Sequence, residues 1–552
     1  MVLSMERWVG RVAVVTGASS GIGAAIAEAL VEQGLIVAGL ARRKDRLDAL
    51  AQKLSNKQGT FHPVKTDISK EEDILNAFKW IKENLGPIHV LVNNAGVFGK
   101  TTLADGDTEI WKNILDVNVL GLCIATREAI RDMRENNVDG HIIHINSVTG
   151  HQVTTFPNAN LYPASKFAVT ALAETLRLEL LNLKPKIKIT SLSPGPVDTE
   201  IFPDVFKEQF KKFVENKQII EAENVADGVV YVLSTPPHVQ IQELTIRSVD
   251  ESFRSEIRLP TRRNQEGLDL GLSEQISRYS VYCEVKKNTM VLSMDRWVGK
   301  VAIVTGASSG IGHAIAVALV EQGLIVAGLA RRKNRLDALA KELSNKKGKL
   351  HPIKTDMTKE EDIINAFKWV KENLGPVHIL INNAGVTGST SLADGDTEIW
   401  KNTLNVNVLG LSIATREAIR DMRANKVDGH IIHINSIAGH QVTKFPDANV
   451  YSASKFAVTA LAETLRLELL SLKSKIKITS LSPGPVDTEI FPDIYKERLK
   501  KFIEEKQIIE PENIADGVVY VLSTPPHVQI QELTIRSVDE SFRSEAATYS
   551  SK

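Results

Sequence analysis

The chain of 552 residues predicts two tandem α/β domains, each a doubly wound parallel β-sheet covered by helices on both faces. Three observations predict this. Residues 290–545 repeat residues 1–256 at a constant offset of 289 without insertion or deletion, and 43 of the 256 paired positions differ. A repeat of that length is a whole domain, far longer than a solenoid or propeller unit. Within each copy, short apolar runs alternate with stretches of helical character, the pattern of buried parallel strands joined by helices. The first apolar run also leads straight into a glycine-rich turn followed by an alanine-rich segment.

The elements of copy one follow in order. Residues 11–16 (RVAVVT) form a buried strand and 21–33 an alanine-rich helix. Strands at 35–40 and 61–66 flank a helix at 44–54, and a helix at 71–84 precedes a fourth strand at 88–93. Two long helices at 108–134 and 160–183 enclose a strand at 141–146. A strand at 186–193, a helix at 223–233 and a strand at 240–247 complete the domain. The expected division is 1–256, copy one; 257–289, a linker; 290–545, copy two; and 546–552, a C-terminal tail. The linker has no clear period and reads as flexible. Its 33 residues span ~30 Å as a coil, enough for the copies to dock on each other.

Composition excludes several functions. Hydrophobic residues are 43% and charged residues 24% of the chain, as in ordinary globular domains. The formal net charge is zero, so nothing argues for nucleic acid or an anionic membrane surface. Two cysteines, Cys123 and Cys283, make no disulfide framework. The early charges Glu6, Arg7 and Arg11 do not suit a signal peptide, and no apolar run suits a membrane span. The expectation is a cytoplasmic protein without a metal.

The turn Thr16-Gly17-Ala18-Ser19-Ser20-Gly21-Ile22-Gly23 lies between the first strand and the first helix. Glycines permit close backbone approach, and a helix N-terminus offers free N–H groups to a pyrophosphate. A glycine cluster alone can be a structural turn; this placement points to a Rossmann-type dinucleotide site. The spacing G-x-x-x-G-x-G returns at Gly306, Gly310 and Gly312. The second strand ends Leu40-Ala41-Arg42-Arg43-Lys44, with no carboxylate for a ribose 2′-hydroxyl. A cationic pair suits a 2′-phosphate, so NADP(H) is expected. The alternative is a solvated basic helix start. Arg331 and Arg332 stand at the same place in copy two.

Tyr162-Pro163-Ala164-Ser165-Lys166 puts a tyrosine and a lysine four apart on one face of a helix. A free phenol titrates near pH ~10 and needs about 3 units of depression to act near neutrality. A nearby ammonium and a cationic nicotinamide supply such a field. Ser147 ends the fifth strand, at the carboxyl edge where open α/β sheets bind ligands. Each residue alone has a bland reading: a helix-boundary tyrosine, a strand cap, a solvated lysine.

Together, TGASSGIG, Asn93-Asn94-Ala95-Gly96, Asn118 in DVNVLG, Ser147, YPASK and Ser193-Pro-Gly-Pro-Val-Asp-Thr199 occur in the order of the short-chain dehydrogenase/reductase family, which each copy resembles over nearly its whole length. The resemblance implies a catalytic set Asn118, Ser147, Tyr162 and Lys166, returning as Asn407, Ser436, Tyr451 and Lys455. It implies tyrosine as acid–base, serine on the substrate oxygen, lysine on the ribose and asparagine holding a relay water. It further implies cofactor contacts from Gly17, Ser19, Ser20, Gly21, Ile22, Gly23, Arg42, Arg43, Asp67, Asn94, Ala95, Gly96, Tyr162, Lys166, Pro194, Gly195, Val197 and Thr199. Asp67 would face the adenine, and Val197 and Thr199 the nicotinamide amide. The copy-two counterparts are Gly306, Ser308, Ser309, Gly310, Ile311, Gly312, Arg331, Arg332, Asp356, Asn383, Ala384, Gly385, Tyr451, Lys455, Pro483, Gly484, Val486 and Thr488. One departure is the end Glu243-Leu-Thr-Ile-Arg-Ser, which lacks the family's common glycine pair.

Finer features (LARR, HIIHINS, HQV at His151–Val153, SPGPVDTEIF) resemble the insect farnesol dehydrogenase group and the similar vertebrate member 11 proteins of the family. That implies a farnesol-like prenol oxidised with NADP+, or alternatively a carbonyl or ketosteroid reduced with NADPH. Phe98, Phe156 and the loop Ile201-Phe202-Pro203-Asp204-Val205-Phe206 suit a hydrophobic substrate, or else simple core packing. A non-catalytic NADP-binding scaffold is a further alternative, disfavoured by two intact catalytic sets. Two adjacent coding units read as one chain is another, motivated by Met290 opening the second copy. The helices at 108–134 and 160–183 resemble those through which family members pair. With Ala457, Thr459, Ala460, Ala462, Glu463 and Leu465 unchanged between copies, an intramolecular pseudo-dimer is expected, open to further homo-oligomerisation.

Overall fold

The computed structural model of the chain describes residues 4–153, 159–181, 183, 185–201, 219–248, 292–442, 448–490, 500 and 508–537. The expected linker 257–289 and tail 546–552 lie outside these residues, as do Phe156, 202–206, Phe210, Tyr495 and Leu499. Copy one runs β1 (Val12–Thr16), α1 (Gly21–Glu32), β2 (Ile36–Ala41), α2 (Lys44–Lys53), β3 (Thr60–Lys65), α3 (Glu71–Asn84), β4 (Ile88–Asn93), α4 (Thr108–Leu115), α5 (Leu122–Glu135), β5 (His141–Ile145), α6 (Leu161–Leu180), β6 (Lys188–Pro194), α7 (Ala222–Ser234) and β7 (Glu243–Ile246). The seven strands form one sheet in the order β3-β2-β1-β4-β5-β6-β7, and every pairing in it is parallel.

Burial follows sequence pattern and strand position. All five residues of β1 are buried, as a central strand covered on both faces requires. The strand β3 is at one edge, which accommodates Pro63 and its missing donor. At the other edge, β7 alternates exposed and half-buried residues. Copy two repeats the architecture with a second sheet of seven strands. It runs β8 (Val301–Thr305), α8 (Gly310–Glu321), β9 (Ile325–Ala330), α9 (Lys333–Glu342), β10 (Lys349–Lys354), α10 (Glu360–Asn373), β11 (Val377–Asn382), α11 (Thr397–Leu404), α12 (Leu411–Ala424), β12 (His430–Ile434), α13 (Asn449–Ser471), β13 (Lys477–Pro483), α14 (Pro511–Ser523) and β14 (Glu532–Ile535). Among the described residues, no helix is long and apolar enough to cross a membrane.

One expected element differs. The segment 108–134 is not a single α-helix: a π-helical turn, Asp116–Gly121, separates α4 from α5. Such turns recur at functional sites because the extra residue re-aims side chains. Here the turn carries Asn118. A Cβ at Gly121 would run into the Ile68 carbonyl, so the turn packs directly on the loop after β3.

The two copies pack through α6 and α13, and one apolar cluster runs continuously from Trp111, Leu172 and Leu176 to Trp400, Leu461 and Leu465. Polar anchors flank it reciprocally. The Arg127 guanidinium donates to the Gly395 carbonyl at 3.1 Å and the Thr397 hydroxyl at 2.8 Å. Arg416 donates to Gly106 at 3.2 Å and Thr108 at 2.8 Å. Each guanidinium carbon lies 5.4 Å from the ring centroid of the other copy's tryptophan, Trp400 or Trp111. Contacts that return with the copies exchanged are the signature of two-fold pairing.

Candidate active site

Each glycine of the first turn is held by a different neighbour. Gly17 has φ +71°, and a Cβ there would sit 2.9 Å from the Ala95 Cα. Gly21 has φ +51° and abuts the Thr199 methyl. A Cβ on Gly23 would run into the Gly17 carbonyl, so the third glycine lets α1 close on its own turn. The Thr16 hydroxyl oxygen accepts the N–H groups of Asn94 at 3.0 Å and Ala95 at 2.9 Å, which fastens the loop after β4 against the turn. The α1 N-cap, Ser20, makes no side-chain cap, and the first turn of the helix opens toward the cleft.

That cleft is a cavity of about 530 Å³ at the carboxyl edge of the sheet, with a counterpart of about 580 Å³ in copy two. Every expected site residue of copy one lines it except Asn118. In copy two the exceptions are Gly312 and Asn407. The glycine turn and the two arginines follow β1 and β2, whereas Ser147 follows β5 and Tyr162 and Lys166 lie on α6, so in the sheet order β4 separates the two groups of lining residues. This donor set fits a phosphate-bearing dinucleotide: free backbone N–H groups, guanidiniums and no wall carboxylate except Asp67 and Glu200.

The arginines have distinct surroundings. Arg43 donates to the Ser19 hydroxyl at 3.0 Å, to the Ser20 hydroxyl at 2.6 Å and to Glu200 at 2.9 Å. Arg46 donates to the same carboxylate at 2.7 Å. The Arg46 and Arg43 guanidiniums hold the Glu200 carboxyl below the usual carboxylate range. Glu489, facing Arg332 and Arg335, is pulled down to about 2. Asp67 accepts the Ser69 amide at 3.1 Å and hydroxyl at 2.8 Å, shaping the turn after β3.

Beyond β4, α6 begins in the cavity wall with Tyr162 and buries Lys166 one turn later. The Lys166 ammonium donates to the Ile145 carbonyl at the end of β5, at 2.9 Å. It lies 5.8 Å from the centre of the Tyr162 ring. Burial pushes the Tyr162 phenol up to about 12, against the opposing Ser147 hydroxyl, and pushes Lys166 down to about 8. The phenol is therefore held protonated by the protein alone. The Ser147 oxygen accepts the Thr149 amide at 3.1 Å and the Thr149 hydroxyl at 2.9 Å. Ser436 keeps the amide bond, but Ala438 stands in the place of Thr149. The Phe98 ring packs on Tyr162 with centroids 5.3 Å apart; Thr387 replaces it in copy two.

Asn118 lies behind the wall. Its Oδ1 accepts the Val97 amide at 2.8 Å, and its Nδ2 donates to the Val97 carbonyl and the Ser165 hydroxyl, both at 3.0 Å. It clamps the loop after β4 to α6. His151 is also drawn away from the cleft, 3.0 Å from the Ser193 hydroxyl and 3.2 Å from Glu243, the residue that opens β7. The His144 ring is buried in β5 and pushed down to about 3. Sequence reasoning missed Thr149, Gln152, Glu200, Arg247 and Ser248, all in the cavity wall. The last two directly follow β7, so the rule that ligands bind at carboxyl strand ends carried the signal.

The family model described as short chain dehydrogenase matches residues 11–209 and 300–499. A farnesol dehydrogenase from Aedes aegypti is 50% identical over 251 residues, 45% of this chain and 100% of that protein. A dehydrogenase/reductase SDR family member 11 from Bos taurus is 46% identical over 253 residues, 45% of this chain and 99% of that protein. The crystal structure of the C-domain of a bacterial malonyl-CoA reductase with NADP covers 96% of this chain and 99% of its own, with a TM-score of 0.68 at 14% identity, a likeness of fold across both copies. Two family matches on two seven-stranded parallel sheets, each with its own cleft, make the chain a tandem member of the short-chain dehydrogenase family, oxidoreductases of alcohols and carbonyls that use a nicotinamide cofactor.

Proposed function

We propose that each copy is an NADP-dependent dehydrogenase of a hydrophobic alcohol, converting a farnesol-like prenol to its aldehyde, with one working site per copy. The observation that carries this reading is the meeting of Ser147, Tyr162 and Lys166 in the cleft wall under the Phe98 ring. The glycine turn, Asn94–Gly96 and Pro194–Thr199 would hold the dinucleotide, with Arg42 and Arg43 on a 2′-phosphate. A nicotinamide held there would supply the acceptor for the carbinol hydride. The hydroxyl proton would pass to a Tyr162 oxygen that has first lost its own proton to solvent, with Lys166 supporting that phenolate electrostatically and Ser147 donating to the substrate oxygen. Asn118 holds the loop and α6 in register through Val97 and Ser165. The similarity to the mosquito farnesol dehydrogenase supports a prenol.

The second reading is carbonyl or ketosteroid reduction, in which the half-buried Tyr162 phenol in the cavity wall would donate its proton to the carbonyl oxygen. Product analysis with farnesol and NADP+ against a ketosteroid panel with NADPH decides between them. Turnover of ketosteroids alone would replace the prenol reading. The cytoplasm remains the proposed location, from composition and cysteine usage. The docked copies are proposed to persist in solution as an internal dimer, and scattering from dilute protein that fits two freely tumbling domains would refute it.

The two sites are expected to differ in substrate range. A buried phenyl contributes ~2–3 kcal/mol, so Phe98→Thr in a Tyr451→Phe chain should shift kcat/KM ratios across prenols of increasing length by about 30- to 100-fold. Thr387→Phe in a Tyr162→Phe chain should shift them the other way. Superimposable chain-length profiles would leave the Phe98 difference without a role in specificity. A smaller effect is expected at Thr149, whose hydroxyl engages one Ser147 lone pair and leaves the serine proton for the substrate oxygen. A neutral hydrogen bond contributes ~0.5–1.5 kcal/mol, so Thr149→Ala should lower site-one kcat about two- to tenfold. Serine at 149 should restore it, and an unchanged kcat would refute the role.

A further inference from the structure

We infer that each active site is positioned by a glutamate from the other copy. Glu468, on α13 of copy two, reaches into copy one. Its carboxylate accepts the amide of Leu103 at 2.9 Å, the amide of Ala104 at 3.1 Å and the side-chain N–H of Asn160 at 2.6 Å. The arrangement is reciprocal. Glu179, on α6 of copy one, accepts Leu392 at 3.1 Å, Ala393 at 2.9 Å and Asn449 at 2.6 Å. A carboxylate with three donors at such distances fixes both position and direction of the groups around it. The first sheet edge and the glycine turn play no part in this contact.

What Glu468 holds is the frame of the catalytic end. Leu103 and Ala104 belong to the loop that leaves β4 through Phe98, and Asn160 stands two residues before Tyr162. Loop and helix start are joined within copy one as well: Thr101 and Ala159 form a β-bridge, and the Ala159 carbonyl accepts the Tyr162 amide at 3.1 Å. The Thr101 hydroxyl accepts the indole N–H of Trp111 at 2.6 Å. Phe98, Ala159 and Tyr162 all line the cavity. One carboxylate from copy two thus fastens both strands of a small clamp whose far ends carry the ring over the tyrosine and the tyrosine itself. Thr390, Ala448, Thr387 and Tyr451 repeat the clamp under Glu179. Glu468 is a positioning residue, not a catalytic one.

This rests on the proposed role of the tyrosines, and the test separates the two. In the full chain carrying Tyr451→Phe, which leaves only site one, Glu468→Gln is expected to lower kcat about 10- to 100-fold, the scale of an ångström's misplacement. The KM for the nicotinamide cofactor should move less than about twofold, because the glycine turn and the arginines proposed to hold its phosphates make no contact with the loop and helix start that Glu468 holds. In the chain carrying Tyr162→Phe, Glu179→Gln should do the same to site two. Glu468→Asp, which keeps the charge and shortens the reach, should give an intermediate loss at site one. Hydrogen exchange gives a readout independent of turnover: Glu468→Gln should speed exchange over 98–106 and leave 387–395 unchanged. Loss of site-two turnover when Glu468→Gln is placed instead in the Tyr162→Phe chain, unchanged exchange over 98–106, or unchanged kcat at site one would overturn the inference. Turnover surviving in a chain with both tyrosines replaced would fault the catalytic reading instead, and the exchange experiment would still decide the clamp.

Discussion

Tyr162→Phe in the full chain should lower turnover at site one by about 10²- to 10⁴-fold, the span of a lost general acid–base. Site two should continue, so the chain keeps the part of its rate that Tyr451 supplies, and replacing both tyrosines should remove both parts. The physical ground is the isolation of the phenol. Burial pushes it up to about 12, and the Ser147 hydroxyl and Lys166 ammonium are its polar neighbours in the cavity wall. The pH dependence has a defined sign. Alcohol oxidation needs the phenol deprotonated, so kcat/KM for oxidation should rise as pH rises, by about tenfold per unit well below the governing value. Lys166 is pushed down to about 8 by burial, and losing its charge above that value should break the rise. Carbonyl reduction needs the proton and should stay level over that interval, where the phenol is still protonated, falling only as pH approaches the governing value. Single substitutions that abolish all turnover would show that the sites do not work independently. A flat oxidation profile from about pH 6 to 8 would remove the buried phenol from the rate-determining proton transfer.

Much of this was legible in the sequence because the determinants are local. Fully apolar runs such as Val12–Thr16 mark buried parallel strands, and the glycine turn declares its place by what precedes and follows it. The bounds of α3 and β4 were read to the residue, since charged first-turn residues and a flanking proline punctuate them. The π-helical turn at Asp116–Gly121 was not legible: its residues have ordinary helical periodicity, and the insertion is imposed by packing against the loop after β3. The tyrosine presented a similar difficulty. Spacing placed Lys166 beside it, but only burial reveals that the protein alone drives the phenol upward rather than down. Long-range polar pairs were invisible too. Nothing in the neighbourhood of Glu200 announces that it faces Arg43 and Arg46, nor does an isolated Glu468 announce that it caps a loop of the other copy.

Replacing Arg42 and Arg43 together with alanine should weaken NADP+ by about 10²- to 10⁴-fold while leaving NAD+ nearly unchanged, since each charge-assisted bond to a phosphate contributes ~1.5–3 kcal/mol. The two arginines should not be equal. Arg43 is already gathered onto Ser19 and Ser20 beside the glycine turn, which pre-orders the guanidinium for an anion at the end of β2. Ala41→Asp with Arg42→Ala goes further, because the new carboxylate would repel a 2′-phosphate and accept from a 2′-hydroxyl, turning preference toward NAD+. Glu200 supplies the sign test. Its carboxylate pairs with Arg43 at 2.9 Å and Arg46 at 2.7 Å, the charges that an incoming phosphate would use. Removing it with Glu200→Gln should strengthen NADP+ rather than weaken it, and by less than about fivefold, because the pair is solvent-exposed and already screened. Glu489→Gln should do the same in copy two, where Arg332 and Arg335 hold the equivalent acid. Measured kcat/KM for NADP+ and NAD+ decides the matter. A wild-type chain that already favours NAD+, or a Glu200→Gln chain whose NADP+ affinity falls, would mean that these arginines serve the Glu200 contact and not a 2′-phosphate.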